Sequence, residues 1–148
     1  MTDAVADGVA NLLVAAAALN AQLEAVYERF GLTGSAFDVL RVLRSDPEGQ
    51  PRGAIARRLI GRAPDVTRLI DRLERQGFVR RVRTKSDRRL SLTRITPKGA
   101  DLVARIEPFL EECRSRFAAN LSMSEWNDLA RLCERIGASK PPPSPRQG

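Results

Sequence analysis

The feature that most narrows the possible folds is a change of hydrophobic period between residues 64 and 95. Over about Pro64 to Gln76, Val66, Leu69, Ile70 and Leu73 recur at helical spacing and share one face, while Arg68, Asp71, Arg72 and Arg75 lie around the other side. Gly77 stands where a glycine closes a helix. Two β-prone runs follow at once, FVRRVR and LSLTRI, around a turn carrying Lys85, Asp87, Arg88 and Arg89. Their alternation is imperfect, since Leu90 and Leu92 are out of phase with Ile95. The pattern predicts a short, irregular two-stranded hairpin rather than part of a larger sheet. Upstream, Ile55, Leu59 and Ile60 give residues 53 to 60 a short helical pattern, separated from the next helix by GRAP. Two helices joined by a tight turn outline a helix-turn-helix, and a hairpin directly after it is a wing.

Charge is concentrated in the same stretch. Between Arg52 and Lys98 there are 15 Lys or Arg and 4 Asp or Glu, whereas the rest of the chain holds 10 basic and 14 acidic residues. A positive segment in an otherwise slightly negative chain is the footprint of an anionic partner, against the plainer reading of a well-solvated surface. Four charges at a hairpin tip add little to a core, so the tip points outward at that partner.

The flanks read as helix. Val5, Val9, Leu12, Ala16, Leu19, Leu23, Val26 and Phe30 alternate spacings of four and three, the seam of a helix packing lengthwise on another. Over residues 4 to 30 such a helix is about 40 Å long, more than one compact core needs. It fits a subunit contact, with a core helix inside its own subunit as the alternative. Phe37, Leu40, Val42 and Leu43 predict a second helix, ended by the loop SDPEGQP. Thr96-Pro97 opens a later helix as N-cap and first helical residue. That helix continues through Leu102, Val103, Ile106, Phe109, Leu110, Cys113 and Phe117, with Pro108 inside it expected to bend it. Ser122 and Glu125 in SMSE form a capping box before Trp126, Leu129, Leu132, Cys133 and Ile136. Residues 137–148, rich in proline, read as a disordered tail. The fold class is therefore mainly α with a small β-hairpin wing, within one domain over 1–136.

The run RAPDVTRLIDRLERQGFVRRVRTKSDRRLSLTRITPKG resembles the winged helix-turn-helix core of the multiple-antibiotic-resistance-regulator (MarR) family. TRLIDRLERQGFV, SDRR and LTRITPKG are each weak alone, but specific in this order and spacing. The resemblance is strong over about 32–99 and looser over 4–30 and 100–136. It implies a homodimeric bacterial transcription regulator that binds a palindromic operator in double-stranded DNA, the helix of 64–76 in the major groove and the wing in the minor groove. Helices of 4–30 and 97–136 would form the dimer through Val5, Val9, Leu12, Phe117, Trp126 and Leu129. Arg89 takes the wing-tip arginine position of an Asp-x-Arg pattern, with Asp87 bracing the loop and Lys85 and Arg88 on phosphates. Pro64, Asp65, Thr67, Arg68 and Arg72 lie at or beside the DNA-facing half of the helix. Arg68 suits a guanine edge, and Asp65 suits either a cytosine amino group or the helix dipole. Arg52, Arg57 and Arg62 would anchor phosphates. The family pattern also implies a small aromatic or phenolic ligand, in a cleft that Tyr27, Phe30 and Phe37 could line. A winged-helix module that binds protein or RNA through its basic face is the alternative function.

Catalysis is hard to build here. The chain has no His, the commonest general base, and no glycine-rich phosphate loop. Cys113 and Cys133 lack metal-site spacing and read as small buried hydrophobes on apolar helix faces. No cofactor or metal is expected. No uninterrupted run of about 18 apolar residues suggests a membrane span, and no signal peptide is visible, so a cytoplasmic location is expected.

Overall fold

The computed structural model describes residues 3–60, 65–84 and 91–138. They form α1 (Asp3–Glu28), α2 (Gly34–Arg44), β1 (Gln50–Pro51), α3 (Arg52–Arg58), α4 (Val66–Arg75), β2 (Val79–Arg83), β3 (Ser91–Ile95), α5 (Pro97–Ala118) and α6 (Met123–Gly137). Two compact units divide the chain, Met1–Glu111 and Glu112–Gly148, and α5 runs as one helix through the boundary and through Pro108. Of the tail expected to be disordered, all beyond Ala138 lies outside the described residues.

The core of the first unit is built on α2, where Ala36, Phe37, Val39, Leu40, Val42 and Leu43 are all buried. Ile55 of α3, Ile70 and Leu73 of α4, Val79 of β2, and Leu102, Val103, Ile106 and Leu110 of α5 complete it. Two devices start α2. The Thr33 side chain accepts from the Ala36 N–H, and the Glu24 carboxylate of α1 accepts from the Gly34 N–H at 3.0 and 3.1 Å. An acid at a helix N-terminus also meets the positive end of the dipole. Asp38, buried in the same helix, pairs with Arg41 and accepts from the Ile60 N–H, which holds the turn after α3.

Two expectations need correcting. The hairpin is not isolated: β1 pairs with β3, giving an antiparallel sheet ordered β1-β3-β2. Ile60 does not join the core but is 81% exposed, because α3 stops at Arg58 and Leu59 is already extended.

Helix α1 has a further property. Its length and composition would suffice to cross a membrane, an 18-residue window reaching a mean hydropathy of 1.5, which a search for unbroken apolar runs passes over. Within the chain only Val26 of this helix is buried, and Val5, Val9, Leu13, Val14 and Leu19 stand exposed. In the second unit, Ser122 and Glu125 form the expected capping box, whose hydrogen bonds hold the Glu125 carboxyl below its usual range. Met123, Leu132 and Ile136 are exposed on α6.

The turn after α4 positions everything that follows. The Phe78 N–H donates to the Leu73 carbonyl and the Gly77 N–H to the Glu74 carbonyl, both at 2.9 Å, with Gly77 at φ 78°. This is a Schellman close, and the positive φ explains the glycine. The next three carbonyls are then taken by the start of α5. Lys98 Nζ donates to Gln76 O at 2.8 Å, Thr96 Oγ1 to Gly77 O at 2.7 Å, and Thr96 N to Phe78 O at 3.0 Å. Thr96 Oγ1 also accepts from the Gly99 N–H as the helix cap. The approach is so close that a Cβ on Gly99 would lie 2.2 Å from the Phe78 carbonyl oxygen.

Gly99→Ala should therefore destabilise the protein by about 2 kcal/mol, within the usual cost of overpacking. Urea denaturation measures it, and an unchanged midpoint would mean that the turn can retreat from α5.

Candidate nucleic-acid interface

The N-terminal end of α4 is where a helix-turn-helix meets its target, and its geometry is set by three residues. Asp65 is the N-cap: its side chain accepts from the Arg68 N–H at 3.0 Å, and its other oxygen lies 3.1 Å from Arg68 Nε. The Arg68 side chain is nevertheless 88% exposed, so its remaining guanidinium donors face solvent. Thr67 is half-buried and accepts at 2.9 Å from Arg52 Nη1 of α3. Both carboxylate oxygens of Asp65 are thus engaged inside the protein, which agrees with the helix-terminus role that the sequence left open.

Other basic residues divide by what they touch. Arg57 and Arg72 are exposed on α3 and α4. Arg58 donates to the Ser45 hydroxyl at 2.8 Å, and Arg94 is held by the carbonyl and carboxylate of Glu48. Asp71 pairs not with Arg72 but with Arg81 of β2, which also binds Glu74. Those two carboxylates, hydrogen bonding to Asp71 foremost, raise the Arg81 pKa further above its ordinary value. Such half-exposed pairs contribute about 0–1 kcal/mol each, so their main effect is on geometry. Pro64 and Arg62, and the wing-tip residues Lys85, Asp87, Arg88 and Arg89, lie outside the described residues.

Reasoning from sequence missed Arg81, Arg52 as the partner of Thr67, and buried Asp38. A carboxylate inside the apolar run FDVL was the one available signal, and it marks Asp38 alone.

A second feature lies at the other end of α4. A groove of about 710 Å³ is lined by Arg29, Phe30, Phe78, Lys98, Asp101, Leu102 and Arg105. Its cations sit over ring faces: Arg29 over Phe109 at 4.5 Å, Lys98 over Phe78 at 4.9 Å and Arg105 over Phe30 at 5.7 Å. Among the described residues no ion pair engages these three cations. Of the expected cleft residues, Phe30 faces this groove, whereas Tyr27 and Phe37 stack on each other at 4.8 Å and Phe37 is buried. Cys113 is buried as expected, but Cys133 is exposed, so the small-hydrophobe reading fits only the first within the chain. No group of three or more potential metal ligands occurs among the described residues.

Helix, turn, helix and a following antiparallel hairpin define a winged helix-turn-helix protein. Residues 30–90 match the model of the MarR family. A MarR transcription factor from Planctomyces limnophilus is 35% identical, covering 86% of this chain and 93% of its own, with a TM-score of 0.68. AbsC, a MarR family transcriptional regulator from Streptomyces coelicolor, is 25% identical with a TM-score of 0.81, covering 93% of this chain and 94% of its own. A curated Thauera aromatica protein, described as a transcriptional regulatory protein for the hcr operon, is 28% identical over 106 residues. That match takes in 72% of this chain and 63% of the relative's length. The chain belongs to the MarR family of transcription regulators.

If Asp65 acts only as a cap, Asp65→Asn should keep both stability and any DNA preference, since Asn caps as well as Asp. Asp65→Ala should lose about 1 kcal/mol in thermal or urea unfolding. A preference lost in the Asn variant would instead show that the Asp65 carboxylate takes part in recognition, through its ion pair with Arg68 or at a base edge.

Proposed function

We propose that this protein is a sequence-specific, double-stranded-DNA-binding transcription regulator of the cytoplasm, acting as a homodimeric repressor whose affinity for its operator is set by a small ligand. The observation that carries this reading is the start of α4. Arg68 stands exposed with its orientation set by Asp65, at the end of the helix that enters a major groove in helix-turn-helix proteins. An arginine so held suits the two acceptors of guanine. Arg57 and Arg72, together with Arg62 and the wing residues Lys85, Arg88 and Arg89, would add phosphate and minor-groove contacts, with Asp87 bracing the wing loop. MepR of Staphylococcus aureus, solved in complex with DNA, shares the fold.

Dimerisation is supported by the apolar residues of α1 and α6 that stand exposed among the described residues. Val5, Val9 and Leu12 of α1, and Phe117, Trp126 and Leu129 of the C-terminal helices, are the proposed contacts. A small aromatic or phenolic ligand is supported by the groove beside Phe30, where ring faces and cations available to an anion occur together. Its volume lies in the range of small-molecule sites.

The function is tested by titrating fragments of the gene's own upstream region against a shuffled duplex at two salt concentrations. Six to ten neutralised phosphates would weaken binding by about three to five decades between 50 and 200 mM salt. Preference for the native fragment with such a slope is expected. Equal binding to both duplexes would leave only general charge attraction and sink the regulator reading.

The dimer has a separate test. Val9→Asp with Leu13→Asp changes two exposed residues and should convert a dimer to a folded monomer in sedimentation equilibrium. A variant that stays dimeric would move the interface away from α1.

A further inference from the structure

Arg81 is one of several similar arginines in the hairpin, yet its surroundings set it apart. It lies on the sheet face shared with buried Val79 and Thr93, and its Cα partner across the ladder is Thr93. From there its guanidinium reaches α4 twice: Nη2 to Asp71 Oδ1 and Nη1 to Glu74 Oε2, both at 2.5 Å. Its backbone N–H donates to the other oxygen of Glu74 at 3.0 Å. Asp71 and Glu74 are three residues apart and so are neighbours on one helix face. The same helix and strand are joined at their other ends by the turn at Gln76–Phe78. Two attachments, one at the turn and one at Arg81, fix the angle between helix and hairpin where one would leave a hinge.

We propose that Arg81 is a positioning residue for DNA recognition. It touches no DNA; it sets the wing at a fixed angle to α4 and cancels the two carboxylates that the helix would otherwise offer to a phosphate backbone. The assignment rests on the DNA-binding reading above. It also changes the sign of a simple expectation. Removing Asp71 and Glu74 makes the surface more positive, which on charge alone should tighten every duplex, whereas loss of the strut should cost selectivity.

The test compares Arg81→Ala and the double variant Asp71→Asn with Glu74→Gln against the unaltered full chain, on the native upstream fragment and its shuffled duplex across a salt series. Arg81→Ala should bind the native fragment about tenfold more weakly with an unchanged slope of log affinity on log salt. A phosphate contact would instead lower that slope by about one. The double variant should show a reduced native-to-shuffled ratio. Tighter binding of both duplexes by the double variant, or a fallen slope with an intact ratio in Arg81→Ala, overturns the proposal. Amide hydrogen exchange on the free protein decides the strut without DNA. Faster exchange in β2 and β3, with α2 and α5 unchanged, is expected in both variants, and unchanged hairpin exchange overturns the strut. A wild-type protein that prefers no native fragment would defeat the DNA reading alone, leaving the exchange result to stand or fall by itself.

Discussion

Three consecutive carbonyls, those of Gln76, Gly77 and Phe78, hold the functional half of this molecule in place. They emerge where α4 ends, and such groups are costly if left without donors. The four residues Thr96 to Gly99 meet this need: Lys98 takes the first carbonyl, the Thr96 hydroxyl the second and the Thr96 N–H the third. Gly99 contributes by lacking a side chain, which lets α5 come close enough. The end of α4 is thereby joined to the beginning of α5. Lys98 also lines the groove and lies over Phe78. An occupant of that groove would therefore compete for a group that closes α4.

Net charge overstates what such a surface offers to DNA. Of the 15 basic residues between Arg52 and Lys98, Arg81 is bound to two carboxylates, Arg94 to Glu48, Arg58 to a hydroxyl, and Arg52 to Thr67. These groups still contribute to the long-range field, which falls off over about a Debye length of 8–10 Å. Close contact is another matter, because a guanidinium held by a carboxylate would have to leave it to reach a phosphate. Steering is thus shared widely, while close contact is left to fewer side chains, among them Arg68, whose side chain is 88% exposed.

The order of elements was legible because each boundary carries local chemistry. Helix α4 begins and ends within about two residues of its expected limits, since Asp65 and Gly77 announce the cap and the close. Ser122 with Glu125, and Thr96 with Pro97, did the same for α6 and α5. Strand β1 left no such mark. Two residues, one of them proline, carry no period, and their pairing depends on β3 more than 40 residues later. Ile60 misled because a helical period was extended past the point where Leu59 turns extended. Arg81 could not be told from Arg80 or Arg83 in sequence, because its role follows from three-dimensional register. A one-residue slip in β2 would turn Arg81 to the other face of the sheet and away from Asp71 and Glu74.

Helix α1 shows how composition and pattern can point in different directions. Its alanine-rich middle gives it the mean hydropathy of a membrane span. The pattern around its axis is uneven, however. At 100° per residue, Val5, Val9, Leu12, Ala16, Leu19, Leu23 and Val26 gather on one side, while Asp3, Asp7 and Asn11 fall away from it. A helix surrounded by lipid gains nothing from keeping one side polar, because those groups would have to give up water without compensation. A helix that buries one seam against another and leaves its far side in water needs this division. The C-terminal part already behaves in that way, with Val26 buried and Glu24 used to start α2. Continuing the same seam toward Val5 presents an apolar strip that the described residues leave exposed. Its distribution favours a protein surface of similar length over a bilayer, and the second copy of the chain proposed above would supply one.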